Sequence, residues 1–342
     1  MQDLHFPFGE APADEAGFRV ADGVHWLPFP LPFPPGHINL WALEDGDGWT
    51  LVDTGFATGD NRALWDRHLA GTLGGRPVTR IVLTHQHPDH VGLAAWLAAR
   101  FDAPVFMTAG EWRLLQRLHG LPDAETTAVF TALHRRHGLD AERTAAFAGR
   151  GNGYRRAIPA LPAEVGVLAA GEELRIGGRA WTVIVGGGHT PEHAELHCAE
   201  AGLLISGDQV LPRISSNVGV WPMAPEADPL SDYVRSLDDH EGLPADTLVL
   251  PSHGAPFRGL HARLESLRTH YARRLATVEE ACRAAPHTAA DLLPLLFRQP
   301  LDAQSVMFAM AEAIGYLHHL AARGVLAARK DEEGSVSFTA NG

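Results

Sequence analysis

Seven residues, Thr84-His85-Gln86-His87-Pro88-Asp89-His90, follow directly on the apolar run Arg80-Ile81-Val82-Leu83. Three imidazoles and a carboxylate thus stand within six consecutive positions at the end of a strand-like segment. Neutral imidazole and carboxylate are the side chains that hold zinc, iron or manganese in water. Packing alone does not gather four such groups at a strand end, because each buried one would need its own polar partner. Chance clustering is the competing explanation in a chain with 20 histidines. A metal site of this kind constrains the whole fold, since further ligands must be brought to the same place.

Three more apolar runs end in a metal-competent residue. Val185-Gly186-Gly187-Gly188-His189 ends one, Leu204-Ile205-Ser206-Gly207-Asp208 another, and Leu248-Val249-Leu250-Pro251-Ser252-His253 a third. A lone His or Asp after a strand is commonly a turn or capping residue. Together with the heptapeptide they give five histidines and two aspartates, enough for two metals. Strand-like and helix-like segments alternate on both sides of the motif, so sheets covered by helices are expected. Pro28-Phe29-Pro30-Leu31-Pro32-Phe33-Pro34-Pro35-Gly36 breaks that rhythm and is expected as an apolar ribbon on the body, neither helix nor central strand. Residues of about 110–160 break it again, with helices expected at Glu111–His119, Thr126–His137 and Ala141–Ala148.

A length of 342 residues accommodates one large domain with a small appendage. The boundary is placed at 285/286, giving a catalytic domain over 1–285 and a tail of two helices and a β-hairpin over 286–342 that looks like a winged helix. With 28 basic and 41 acidic residues the net charge is −13, which argues against a nucleic-acid or anionic-membrane binder. The tail itself carries four basic and six acidic residues, so a structural or homodimerising role is expected of it. Cys198 and Cys282 form no C-x-x-C pair. No signal peptide or apolar run of about 18 residues is apparent, so a cytoplasmic protein off the membrane is expected.

The order H-x-H-x-D-H, then His189, Asp208 and His253, with Leu51-Val52-Asp53-Thr54-Gly55 upstream, resembles the metallo-β-lactamase-fold hydrolase superfamily over about residues 20–260. The resemblance implies an α/β (α+β) fold, a four-layer αββα sandwich with metals at one edge of two facing sheets. It implies that His85, His87 and His189 hold one metal, that Asp89, His90 and His253 hold a second, and that Asp208 bridges them. Asp53 would orient ligands from behind. Two Zn2+ are expected, and the same donors accept Mn2+ or Fe2+. Two such metals can share a hydroxide that attacks a carbonyl or phosphoryl centre, with Asp89 and Asp208 as the catalytic carboxylates.

Departures narrow the branch. The bridging Asp208 disfavours lactam hydrolysis, His87 stands where flavodiiron proteins carry Glu, and Gln209-Val210-Leu211 follows Asp208 where acyl-homoserine lactonases place a tyrosine shortly after it. Glu192 replaces the glycine usual in glyoxalase II. The expected activity is hydrolysis of an ester-like bond in a small molecule, with thioesters first and lactones or other esters next. A phosphodiesterase or ribonuclease, and a non-catalytic metal-binding regulator, are the alternatives. Between Gly110 and Ala160 eight arginines face five acidic residues, a net of +3. Arg155 and Arg156 are therefore candidates for holding an anionic substrate tail. His37, Arg213 and Asn217 are weaker substrate-contact candidates.

Overall fold

A computed structural model describes residues 4–12, 16–149 and 151–341. In chain order its elements are β1 Phe18–Ala21, β2 Val24–Pro30, β3 His37–Asp45, β4 Gly48–Val52, α1 Gly59–Ala70, β5 Val78–Val82, α2 Pro88–Val91, α3 Ala94–Phe101 and β6 Val105–Thr108. Four helices follow, α4 Ala109–Gly120, α5 Asp123–Arg136, α6 Ala141–Ala148 and α7 Gly153–Ala157. Then come β7 Gly166–Leu168, β8 Glu173–Ile176, β9 Arg179–Gly186, β10 His193–Cys198, β11 Leu203–Gly207, α8 Pro229–Asp238, β12 Leu248–Pro251 and α9 Leu260–Ala284. The tail contains α10 Ala289–Leu296, α11 Ala303–Ala322, β13 Leu326–Lys330 and β14 Val336–Ala340.

One sheet runs in the order β1 to β7, antiparallel as far as β4 and parallel from there. The other runs β12-β11-β10-β9-β8, with β11 and β12 parallel. The period of two along a strand sorts its side chains into layers. Leu203 and Ile205 of β11 enter the core between the sheets, where they meet Trp26, Trp41 and Val82, while Leu204 joins the outer core with Tyr233 and Leu264. Trp41 and Leu43 of β3 likewise face inward, and Leu40 and Ala42 pack outward with Leu64 and Trp65 of α1. Because both faces of these strands are buried, they read as continuous apolar runs. Each fully buried Leu- or Phe-sized side chain contributes about 1.5–3 kcal/mol. The layers are therefore αββα.

Two expectations are corrected. The first three residues of the expected ribbon, Pro28 to Pro30, belong to the strand β2: Pro28 pairs with Asn39 and Pro30 with His37. The neighbour β1 reaches only as far as Trp26, so the prolines lie where one side is open and a missing N–H costs no ladder bond. The insert holds a fourth helix beyond the three expected, α7, whose cap Asn152 accepts the Arg155 N–H at 2.8 Å.

The insert rests on the tail. Leu133 and Leu139 share one core with Leu292, Tyr316 and Phe338, and the Ala290 N–H donates to the His137 carbonyl at 3.2 Å. No helix among the described residues is long and apolar enough to cross a membrane.

Candidate metal centre

The strand directions put the C-terminal ends of β4, β5, β9, β11 and β12 at one edge, and Asp53, His85, His189, Asp208 and His253 follow those ends. Crossing bonds fix this edge. The Ala194 N–H donates to the Thr84 carbonyl at 2.8 Å and the Asn39 N–H to the Ser252 carbonyl at 2.7 Å. The Asn39 amide, fully buried, donates to the Pro251 and Gly254 carbonyls at 2.8 and 2.7 Å, on either side of His253.

Pro88 begins the short helix α2 directly after His87, which is extended. That turn divides the heptapeptide between two clusters. His85, His87, His189 and Asp208 converge in one, and Asp89, His90 and His253 in the other, with ligand atoms in each lying within 4.8 Å of one another. Asp208 faces both. Its Oδ2 lies 3.4 Å from His189 Nε2 and 3.9 Å from His85 Nε2, and its Oδ1 lies 3.4 Å from His253 Nε2 and 3.6 Å from His90 Nε2. Asp89 Oδ2 stands 3.5 Å from His253 Nε2 and 3.8 Å from His90 Nε2.

These spacings are too long for hydrogen bonds. They match the roughly 3.3 Å edges of a tetrahedron whose centre is about 2.0–2.1 Å from each nitrogen or oxygen. The buried His90 Nε2, His189 Nε2 and Asp208 Oδ1 have no hydrogen-bond partner in the protein, an arrangement that is costly unless something else satisfies them. The donor set therefore fits divalent metals.

The far sides of four of the five rings are anchored, which fixes the tautomer and leaves Nε2 as the donor; the fifth, His87, instead has its Nδ1 2.9 Å from His85 Nε2 within the cluster. His189 Nδ1 donates to the Asn217 carbonyl at 2.8 Å, His253 Nδ1 to the His37 carbonyl at 2.9 Å, and His90 Nδ1 to Asp53 Oδ2 at 2.7 Å. His85 Nδ1 lies 3.0 Å from the Thr84 hydroxyl, which itself donates to Asp53 Oδ2. Asp53 also accepts the Thr84 N–H at 2.8 Å. It is one of two described non-glycine residues in the left-handed backbone region, at φ 62°, a strain tolerated where the surroundings hold the residue in place.

Electrostatics separate the clusters. Burial, together with the other imidazoles, holds His85 well below its usual pKa and His87 down at about 3. Burial also acts against charge at His90 and His253, but carboxylates outweigh it: Asp53, Asp208 and Asp89 raise His90 well above its usual value, and Asp208 and Asp89 raise His253 to about 10. For Asp89 the facing histidines overcome burial and hold it down at about 2. Carboxylates that force positive charge onto buried imidazoles make a place for cations.

Of the expected substrate contacts, none joins the clusters. His37 and Asn217 serve through their backbone carbonyls. Arg213 pairs with Glu10 at 2.9 Å and lies over the Phe6 ring, and Arg155 pairs with Asp123 at 2.8 Å. Arg156 lies on the exposed side of α7, and Arg150 is outside the described residues. Two residues went unnoticed in the sequence. His193 Nε2 accepts the Asp208 N–H at 3.1 Å, and its ring stacks on that of His85. Gly207, at φ 52°, makes room for it, since a Cβ there would lie 2.4 Å from that ring. The other is Asn39. Its only signal is a polar residue inside an apolar strand.

Comparisons agree with this geometry. The family model of the metallo-beta-lactamase superfamily matches residues 33–253, and that of the metallo-beta-lactamase-like C-terminal domain matches residues 275–341. The chain belongs to the metallo-beta-lactamase superfamily and is a hydrolase of it with a His/Asp metal-site cluster. The crystal structure of a beta-lactamase domain protein from Burkholderia ambifaria is similar with a TM-score of 0.92, at 40% identity, over 99% of this chain and 98% of that one. The probable metallo-hydrolase YqjP of Bacillus subtilis (strain 168) is 28% identical over 86% of this chain and 90% of its own length. A hydroxyacylglutathione hydrolase from Cereibacter sphaeroides is 32% identical over 44% of this chain and 53% of its own length.

Proposed function

We propose that this protein hydrolyses an ester-like bond in a small molecule, thioesters first and lactones or other esters next, with two zinc ions in the paired clusters. The observation that carries the reading is Asp208, whose two carboxylate oxygens each face a different set of histidines. His85, His87 and His189 would hold one ion, Asp89, His90 and His253 the other, and Asp208 both. When bound, such a pair lowers the pKa of water towards neutrality and polarises the scissile carbonyl. The partial similarity to a hydroxyacylglutathione hydrolase supports ester or thioester chemistry.

The chain's own residues supply the rest. Asp89, held ionised at neutral pH, takes the nucleophile's proton on the carboxylate oxygen not turned to His90 and His253 and returns it to the departing oxygen or sulfur. Fully buried His85 and His90 keep bulk water from the inner side of the site. Their Nδ1 bonds hold the rings still, so no reorganisation is needed at the moment of reaction.

Metal analysis and turnover on a panel of thioesters, lactones and bis-p-nitrophenyl phosphate test this. About two zinc ions per chain and preferred thioester or ester cleavage are expected. Preferred cleavage of the phosphodiester would replace the reading with phosphodiesterase chemistry. A metal-loaded protein inert towards the whole panel would point to a binding protein.

A further inference from the structure

The first turn of α4 reads Thr108-Ala109-Gly110-Glu111, the pattern in which a threonine cap and a glutamate three residues on close a helix end upon itself. Here neither side chain does so. Thr108 makes no cap bond to its own helix, and its hydroxyl donates to the Glu192 carbonyl at 2.6 Å. Glu111 is fully buried, with Oε2 accepting the Gln86 N–H at 3.0 Å and Oε1 accepting the Glu192 N–H at 2.9 Å. The return contact comes from the opposite loop, where the Glu192 carboxylate accepts the Gly110 N–H and so caps α4. A Cβ at 110 would lie 2.5 Å from the Glu192 carboxyl carbon, so any larger residue there would push this cap away.

Gln86 stands between His85 and His87, and Glu192 lies three residues beyond His189. One buried carboxylate thus ties together the two loops that carry every histidine of the first cluster. Tyr154 adds a bond from α7, its hydroxyl donating to the Gln86 carbonyl at 2.6 Å. Hydrogen bonds from two separate loops to one rigid acceptor fix their separation. A water molecule could satisfy the same N–H groups, but without that constraint.

We propose that Glu111 and Glu192 form an interlock that sets the distance between the His85/His87 pair and His189, making Glu111 a positioning residue for the metal of the first cluster. The proposal rests on the two-metal reading above. It also accounts for Glu192, which stands where glyoxalase II carries glycine, because its carboxylate holds the ligand loop on the helical insert.

The test is competition for Zn2+ between a chromophoric chelator and the full chain, as wild type, Glu111→Gln and Glu192→Gly. The wild type should bind two ions. Glu111→Gln, which places amide hydrogens against an N–H, should weaken one of the two by about 10–100-fold and leave the other unchanged. Glu192→Gly keeps the N–H bond to Glu111 but loses the cap, and should weaken the same ion by about fivefold, in line with a lost helix cap. Equal weakening of both ions, or wild-type affinity in both variants, overturns the interlock. Should Glu111→Gln fail to fold, Glu192→Gly decides alone by the same two criteria. A wild type that binds no Zn2+ would instead remove the two-metal reading beneath it.

Discussion

The histidines of the metal centre and those buried at the junction of insert and tail have little in common beyond burial. At the sheet edge His90, His189 and His253 each have one nitrogen anchored by an acceptor and the other turned towards Asp208. At the junction of insert and tail, fully buried His137 has neither nitrogen hydrogen-bonded, with its ring parallel to that of Phe338 and near His318. Burial, reinforced by His318 and Arg136, holds its pKa at about 3. The first group is arranged around cations. The second is a neutral packing element. A cluster of histidines thus becomes a metal centre through the acceptors behind the rings and the carboxylates before them, not through burial.

Breaking the front of the first group should have the largest effect. Asp208→Ala removes the oxygens shared by both clusters. Zn2+ content should fall below two per chain and turnover by more than the roughly 10–100-fold typical of an outer hydrogen-bond partner. Metal analysis showing two tightly held ions in this variant would end the shared-carboxylate reading. Breaking the back should cost less. Asp53→Asn sets an amide against three donors, so Zn2+ affinity measured by chelator competition should drop about 10–100-fold.

The second group should respond to acid instead. The folded pKa of His137 lies below its unfolded value, so the unfolded chain takes up more protons between about pH 6.5 and 3. Stability should fall as pH drops through that window, by up to about 1.4 kcal/mol per pH unit for such a group. Denaturant titrations from pH 7 to 5 should show such a slope, to which buried His68 and His134, each lowered to about 4, also contribute, and His137→Leu should reduce it without changing zinc content at pH 7. A slope unchanged in that variant would mean that other groups set the acid sensitivity. The smallest effect is expected from Arg155→Ala. The exposed pair with Asp123 should be worth about 0–1 kcal/mol in thermal unfolding. The KM for a phosphate-bearing thioester should stay within about threefold, the scale of an exposed ion pair; a much larger rise would support the anionic-tail expectation.

The sequence displayed the ligands because strands buried on both faces are apolar throughout, so a His or Asp at their ends stands out. What it concealed was the use of ordinary signals for other ends. Thr108 and Glu111 spell a helix cap and act between loops. Pro28 and Pro30 argue against a strand, yet they occupy one whose neighbour stops short. Asn39 and His193 became meaningful only when two sheets brought distant backbone groups beside them. The arginines of the insert stood out by charge, but Arg155 has an acidic partner within the insert itself, on α5.

The shared core of insert and tail has a consequence for synthesis. When residue 253 has emerged from the ribosome every histidine and aspartate of the centre has been made. Leu133 and Leu139, however, share their core with Leu292, Tyr316 and Phe338, all of which are made later. A nascent chain carries all its metal-binding groups before the support of its insert exists. The residues translated after position 253 therefore decide when the domain can close.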